Sequence, residues 1–511
     1  MRFIVRNDKT KMVTGGRDNL NGRDMWKVVN DYLTIPVDGA DQIIREATKG
    51  MTKEEKDNYK WDGNKRLMNY KGEFATGLLP MIVELVKDYD IHVEFEDRRN
   101  NLPIFQRELD FTTPFFELYK HQRKLVQSVK RSVLEGFSNN LYFPRGIWKA
   151  ATNAGKTAAF GCLVNNVVNA NALLLVGEQQ LFEQHIKFYR RWFGNSVGII
   201  GSIAPEGKKT KKYMYQPGSP ITIAMVDTLC SRMKKDENIR YALRHKYNIL
   251  GVDECHDFSN STAATVIEAV DAGIKLFMSG TPLDVSPNSR MDLIGMSGKV
   301  LHSVSKRYLM DSGFSMTPAI LIYKNPARLK LDTNYPNEYD RLIMKSPERA
   351  DLIADLIAER IGKKVMVTFF EKEHGYFMYE HFINKYPQYF DLVDIVHGTD
   401  SDRSEKVDRF INQKARIAFT STIMRQGIDV PDINTIIFGQ GEKDPKDLSQ
   451  FMGRGERLDG RNTKFEWIDF YDQGSYTAPH SQQRIAFYIK EELEVKFMYN
   501  HNEDGTPRTS A

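Results

Sequence analysis

Apolar residues fall along the chain in short continuous runs, each followed by a longer stretch of mixed character. ALLLV at 172–176 precedes EQQLFEQHIKFYRRWF, NILGV at 248–252 precedes DECH, and IKLFM at 274–278 precedes SGTP. A second series follows with KVMVTF at 364–369, RIAF at 416–419, NTIIF at 434–438 and FEWIDF at 465–470. Runs without polar alternation, spaced by helical segments, predict strands buried on both faces, as in parallel sheets covered by helices. The pattern therefore predicts an α/β protein with two tandem parallel-sheet domains, at 106–315 and 316–480, joined through 315–335, where prolines mix with charge. Residues 1–105 lack this rhythm and read as a small α+β module, while 481–511 reads as a helix and a disordered tail ending in HNEDGTPRTSA.

Composition narrows the picture. At 511 residues the chain exceeds what one hydrophobic core usually supports, and 41% hydrophobic with 27% charged residues is a globular balance. The net charge of +5, spread over 72 basic and 67 acidic residues, permits an anionic polymer as partner without requiring one. Residues 1–100 hold 18 basic and 18 acidic side chains, so the module is neutral rather than a basic clamp. Cys162, Cys230 and Cys255 stand apart without metal-ligand spacing, which excludes a disulfide scaffold and points to small core residues in a reducing compartment. No apolar run approaches bilayer length, and MRFIVRNDKT breaks with charge before a signal-peptide core forms, so a cytoplasmic protein without a membrane partner is expected.

The first domain carries the strongest local chemistry, AATNAGKT at 150–157. A phosphate cradle needs a loop of backbone N–H groups, a lysine for the β- and γ-phosphates and a hydroxyl for magnesium. Thr152, Asn153, Ala154 and Gly155 supply the loop, Lys156 the ammonium and Thr157 the hydroxyl, although Ala150 stands where the strict pattern begins with glycine. In ILGVDECH, 97 residues on, Asp253 and Glu254 fall at the carboxyl end of a buried strand, with His256 beside them. An isolated pair of this kind also suits a solvated acidic turn. After a GKT loop it suits hydrolysis, with Asp253 on magnesium and Glu254 on the attacking water.

QFMGRGER at 450–457 sets Arg454 and Arg457 three apart in a Q-x-x-G-R-x-x-R frame with Gln450 and Gly453. Paired arginines so close to glycines predict cations for the charge that develops on a γ-phosphate, arriving when the two domains close.

Taken in order, these segments resemble the superfamily 2 helicases of the DExH type over residues 112–475. That resemblance implies two RecA-like domains, ATP with Mg2+ as cofactors, and further roles position by position. LYKHQ at 118–122 is similar to the element whose glutamine, Gln122, reads adenine, with Tyr119 where arginine is usual. LLLVGEQQLFEQ at 173–184 and ITIAMVDTL at 221–229 resemble strand-end nucleic-acid contacts, which implies that Gln184 and Thr228 hold phosphates. Ser279 and Thr281 of SGT match the Ser-x-Thr element that couples hydrolysis to movement, a role extended to His256 and Gln450. VMVTFF at 365–370 and FTSTIMRQGIDVP at 419–431 fill the second domain's set, which places Ser421 and Thr422 on nucleic acid and Asp429 on the nucleotide.

Residues 60–97 and the run MGRGERLDGRNTKFEWIDFYDQ resemble the UvsW-type phage branch-migration helicases, whose Trp-Asp-Gly, Arg-Leu and Gly-Leu-Leu elements fall in the same order. The implied partner is branched DNA with single- and double-stranded regions, in the host cytoplasm if the chain is phage-encoded. The sequence names no protein partner. A neutral module would grip DNA through a local patch of Trp61, Lys65 and Arg66, together with Lys60 and Lys71. Lys208, Lys209, Lys211 and Lys212 form a second basic candidate between two nucleic-acid elements. An RNA-remodelling motor and a junction-binding or annealing protein with an inactive motor are the alternatives.

Overall fold

The computed structural model describes the chain except residues 14–18, 21–22, 53–59, 101, 135–142, 204–211, 259–260, 329–333, 398–399, 401, 422–432, 444–447, 449–450, 454, 456–463 and 499–511. Two compact units emerge, one of Met1–Ala151 with Gly155–Val304 and the other of Ser305–Ala511 with Thr152–Ala154.

In the first unit the N-terminal module and a large sheet share one body. The module contributes β1 (Arg2–Val5), β2 (Lys9–Val13), β3 (Glu73–Ala75) and β4 (Glu94–Asp97), in the order β3-β2-β1-β4. Buried and open positions alternate along β1 and β2, so Phe3, Val5 and Met12 enter one cluster with Leu79, Ile82, Val83 and Val86 of helix α1 (Leu79–Lys87). Pro80 opens that helix, where its missing N–H costs nothing.

The same cluster takes in Phe143, Met291 and Ile294 from the neighbouring sheet and its helix. Gly77 explains the close approach, since a Cβ there would lie 2.2 Å from the Ile294 carbonyl oxygen. Polar ties complete the seam: Lys65 Nζ lies 2.6 Å from Asp292 Oδ1, Asn7 Nδ2 lies 2.5 Å from Asp271 Oδ1, and Arg145 donates to the Asn7 carbonyl. Residues 1–105, read from sequence as a separate accessory domain, thus belong to the first compact unit.

The large sheet is built from β5 (Arg145–Ala150), β6 (Ala172–Val176), β7 (Gly198–Ile203), β8 (Lys212–Gln216), β9 (Ile221–Met225), β10 (Ile249–Asp253), β11 (Ile274–Ser279) and β12 (Val300–Val304). Among the described residues its order is β8-β7-β9-β6-β10-β11-β5-β12, parallel throughout except for the antiparallel β7/β8 pair. Every residue of β6, β10 and β11 is buried, as the unbroken apolar runs require. Parallel direction brings Ala150, Val176, Asp253 and Ser279 to the same edge of the sheet.

The second unit repeats the plan with β13 (Thr317–Lys324), β14 (Val365–Thr368), β15 (Val393–Val396), β16 (Ile417–Thr420), β17 (Thr435–Phe438), β18 (Lys464–Tyr471) and β19 (Val495–Met498). The order is β15-β16-β14-β17-β18-β13-β19, and every pair is parallel. Successive residues alternate between two cores: Met366, Ala418, Ile436 and Trp467 enter one, Val365, Ile417, Ile437 and Ile468 the other. Both faces are therefore covered.

Two expectations shift here. β13 occupies part of 315–335, the stretch read as a connection, because its apolar core AILIY is buried beside β18. The chain end supplies a helix, Thr477–Lys490, and then β19 on the sheet edge, while 499–511, read as tail, lies outside the described residues. No described helix is long and apolar enough to cross a membrane.

Candidate nucleotide site

The loop after β5 turns sharply into helix α3 (Lys156–Asn165). Gly155 has φ +76°, a left-handed conformation, and a Cβ there would come 2.0 Å from Gln122 Nε2. Glycine is thus required twice, by backbone and by space. Gln122 lies in the first turn of helix α2 (Lys120–Leu134), and its Oε1 accepts from the Tyr119 N–H at 3.0 Å. The structure therefore brings the adenine-reading candidate directly against the phosphate loop. Lys156 Nζ donates to the Ala150 carbonyl at 3.1 Å and lies 3.5 Å from Glu254 Oε1. Burial works against its charge, but the carboxylates of Glu254 and Asp253 outweigh it and raise the lysine above its ordinary value.

The two carboxylates diverge at the end of β10. Asp253 closes the strand at 6% exposure, whereas Glu254 has φ +48°, a left-handed conformation unusual for a side-chain-bearing residue and common where function fixes the backbone. Asp253 Oδ2 pairs with His185 Nε2 at 2.7 Å; its Oδ1 is buried with no hydrogen-bond partner. Burial opposes ionisation of Asp253, yet the His185 hydrogen bond and the nearby lysine prevail and hold it below the usual carboxylate range. A connected series follows: Glu254 Oε2 lies 3.4 Å from His256 Nδ1, which lies 2.7 Å from Ser279 Oγ, which accepts from the Thr281 N–H at 3.1 Å. The carboxylate, histidine and Ser-x-Thr candidates read separately from sequence are contiguous in space.

These residues fit a magnesium ion carried by a nucleotide. The orphaned Asp253 Oδ1 is a charged acceptor in need of a partner, and Thr157 stands in the first turn of the helix that leaves the loop. No cluster of three or more His, Cys, Asp or Glu side chains that could hold a metal ion occurs among the described residues.

The remaining candidates are dispersed. Gln184 is half-buried on helix α4 (Gln179–Phe193), and Thr228 is half-buried in Val226–Met233. Ser421 follows β16, buried, with its Oγ unpartnered. Lys212 is exposed at the start of β8. Lys65 is held by Asp292 and Arg66 by Asp62, 3.2 Å from Oδ1; Trp61 is half-buried with Nε1 donating to the Asn64 carbonyl at 3.0 Å. Trp61, Lys65 and Arg66 are thus already engaged within the first unit. Lys208, Lys209, Lys211, Thr422, Asp429, Gln450, Arg454 and Arg457 lie outside the described residues.

Two site residues escaped sequence reasoning, His185 and Tyr189. Their signal was spacing: four apart on a helix following β6, which pairs with β10.

Comparison with known proteins gives this geometry its family. Residues 115–284 match the family described as the res subunit of type III restriction enzymes, and residues 348–459 match the helicase conserved C-terminal domain. The chain is 21% identical over 464 residues to the ATP-dependent DNA helicase UvsW of Enterobacteria phage T4, covering 88% of each chain. The chain is a superfamily 2 helicase. The family implies an ATP-dependent motor on nucleic acid, typically with Mg2+. Solved structures agree on the fold. Dbp5 of S. cerevisiae bound to RNA and ADP BeF3 is 15% identical with a TM-score of 0.50, covering 75% of this chain and 90% of that one. The Type ISP restriction-modification enzyme LlaBIII bound to DNA is 10% identical with a TM-score of 0.57, covering 84% and 34%.

Proposed function

We propose that this helicase acts on DNA, remodelling branched molecules by fork regression and by branch migration of Holliday junctions and displacement loops, in phage replication, recombination and repair. The observation that carries this reading is the span of its likeness to UvsW. An alignment over 88% of the chain cannot be accommodated by residues 106–511 alone, so it reaches into the N-terminal module as well as the motor. The fold does not choose the substrate, since neighbours sharing it are bound to RNA in one case and DNA in the other.

In this reading Lys156 binds the β- and γ-phosphates, Asp253 and Thr157 hold Mg2+, and Glu254 orients the attacking water. Arg454 and Arg457 supply cations for the transition state, and Asp429 contacts the nucleotide. The series from Glu254 through His256 to Ser279 and Thr281, with Gln450, carries the outcome of hydrolysis toward the nucleic acid. Gln184, Thr228, Ser421 and Thr422 hold backbone phosphates without reading sequence, and the lysines at 208–212 add electrostatic grip. An inactive motor is disfavoured because Lys156, Asp253 and Glu254 are all present and converge.

The test is strand exchange on a mobile four-way junction labelled for energy transfer. ATP is expected to drive migration, and ATPγS is not. A junction that stays put with ATP while RNA duplexes are unwound would replace the DNA reading by the RNA one.

A further inference from the structure

We propose that α4 braces the cation site, with His185 and Tyr189 acting as positioning residues that hold Asp253 and Thr157 in the mutual arrangement that Mg2+ binding with nucleotide needs. The inference rests on the nucleotide-site reading above. Asp253 ends β10 and Thr157 sits in the first turn of α3, which leaves β5; in the sheet β11 intervenes between β10 and β5. No ladder hydrogen bond between those two strands therefore fixes one candidate ligand relative to the other.

α4 makes the link that the sheet does not. His185 Nε2 lies 2.7 Å from Asp253 Oδ2, and the Tyr189 hydroxyl donates to the Thr157 carbonyl at 2.9 Å. The two rings are stacked, 5.9 Å between centroids and 12° between planes, as residues four apart on one helix face allow. His185 is 5% exposed and Tyr189 fully buried, so neither contact competes with bulk water.

The consequence for the ligand is directional. With Oδ2 occupied by histidine, the carboxylate cannot rotate freely, and its unpartnered Oδ1 is the oxygen left for a cation. Partners behind a metal ligand commonly set its orientation and with it the affinity for the ion. Gln179 and Gln184 lie on the same helix. A displacement of α4 by a bound phosphate backbone would therefore be felt at both ends of the cation site.

The experiment titrates Mg2+ into full-length protein with a fluorescent ATP analogue and reads the Mg2+ midpoint of binding, beside analogue affinity in EDTA. His185→Ala is expected to raise the midpoint about 10- to 100-fold with EDTA affinity unchanged. His185→Gln, which keeps a donor near the Nε2 position, should recover most of the loss. Tyr189→Phe, which removes only a hydroxyl, should raise the midpoint about fivefold. Tyr189→Phe also decides the matter should His185→Ala fail to fold. Wild-type midpoints in the folded variants, or equal weakening with and without Mg2+, would overturn the brace. A wild-type protein indistinguishable from Lys156→Ala at every Mg2+ concentration would overturn the nucleotide site itself.

Discussion

The first and second units use the same parallel-sheet plan but treat buried charge differently. In the second, Asp469 and Asp472 at the end of β18 have every carboxylate oxygen paired, although Arg349 Nε and Asp394 Oδ2 in the same unit are buried without a partner. Arg484 Nε donates to Asp469 Oδ2 at 2.9 Å, with further bonds to the carbonyls of Gly441 and Phe470 at 2.7 Å. Arg349 pairs with Asp472 at 2.5 Å, and Tyr488 donates to Asp469 at 2.8 Å. Burial opposes the charge on Arg484, but Asp469 and Asp472 outweigh it and raise its pKa. In the first unit the end of β10 is left open: Asp253 keeps an unpartnered oxygen and Glu254 a left-handed backbone. A closed network specifies packing, whereas an open, strained carboxylate pair beside a buried lysine is arranged for a ligand.

The sharpest way to break that contrast is to neutralise the open site. Lys156→Ala should abolish ATP turnover while sparing most DNA binding, and retained turnover would remove the loop from catalysis. Next in size, Arg457→Ala should keep nucleotide binding but slow hydrolysis by about 10³-fold or more, checked by single-turnover kinetics. The closed network should instead respond in stability. Arg484→Ala leaves Asp469 and Asp472 as poorly compensated buried charges and should cost about 3–5 kcal/mol in denaturant unfolding. An equal loss from Lys156→Ala would erase the distinction between the two kinds of buried charge.

A smaller effect sharpens the comparison through pH. Burial, with Arg145 nearby, lowers Lys275 in the first unit from 10.5 to about 7, and burial, with Arg349 nearby, lowers His374 in the second from 6.5 to about 3. Between a lowered folded value and the ordinary one the unfolded chain holds more protons, so stability rises with pH across that window. Lys275 therefore contributes a rising slope from about pH 7 to 10.5, and His374 one from about pH 3 to 6.5. The stability advantage of Lys275→Met over wild type should shrink from pH 7 to pH 10; a constant gap would contradict the lowered lysine.

What the sequence disclosed follows the same physics. ALLLV is a strand at the same residues, the run at 248–252 shifts by one residue at both ends, and those at 274–278 and 434–438 differ by one residue at one end, because burial on both faces leaves an unbroken apolar signal. β8 and β19 were not legible, since edge strands with mostly open positions carry no such run. The GKT loop and the Asp253–Glu254 pair stand out as candidates in the sequence because their chemistry is contiguous there. His185 and Tyr189 do not, nor do the Arg484–Asp469 and Arg349–Asp472 pairs, because each role exists only once distant segments meet.

The central claim, a DNA-remodelling ATPase, is tested most directly by steady-state ATP hydrolysis of the full chain on single-stranded DNA, blunt duplex, a fork, a four-way junction and structured RNA, with Lys156→Ala as control. Turnover stimulated most by the fork and the junction, and absent in the variant, is the predicted result. Stimulation by RNA alone, or turnover unaffected by Lys156→Ala, would contradict it.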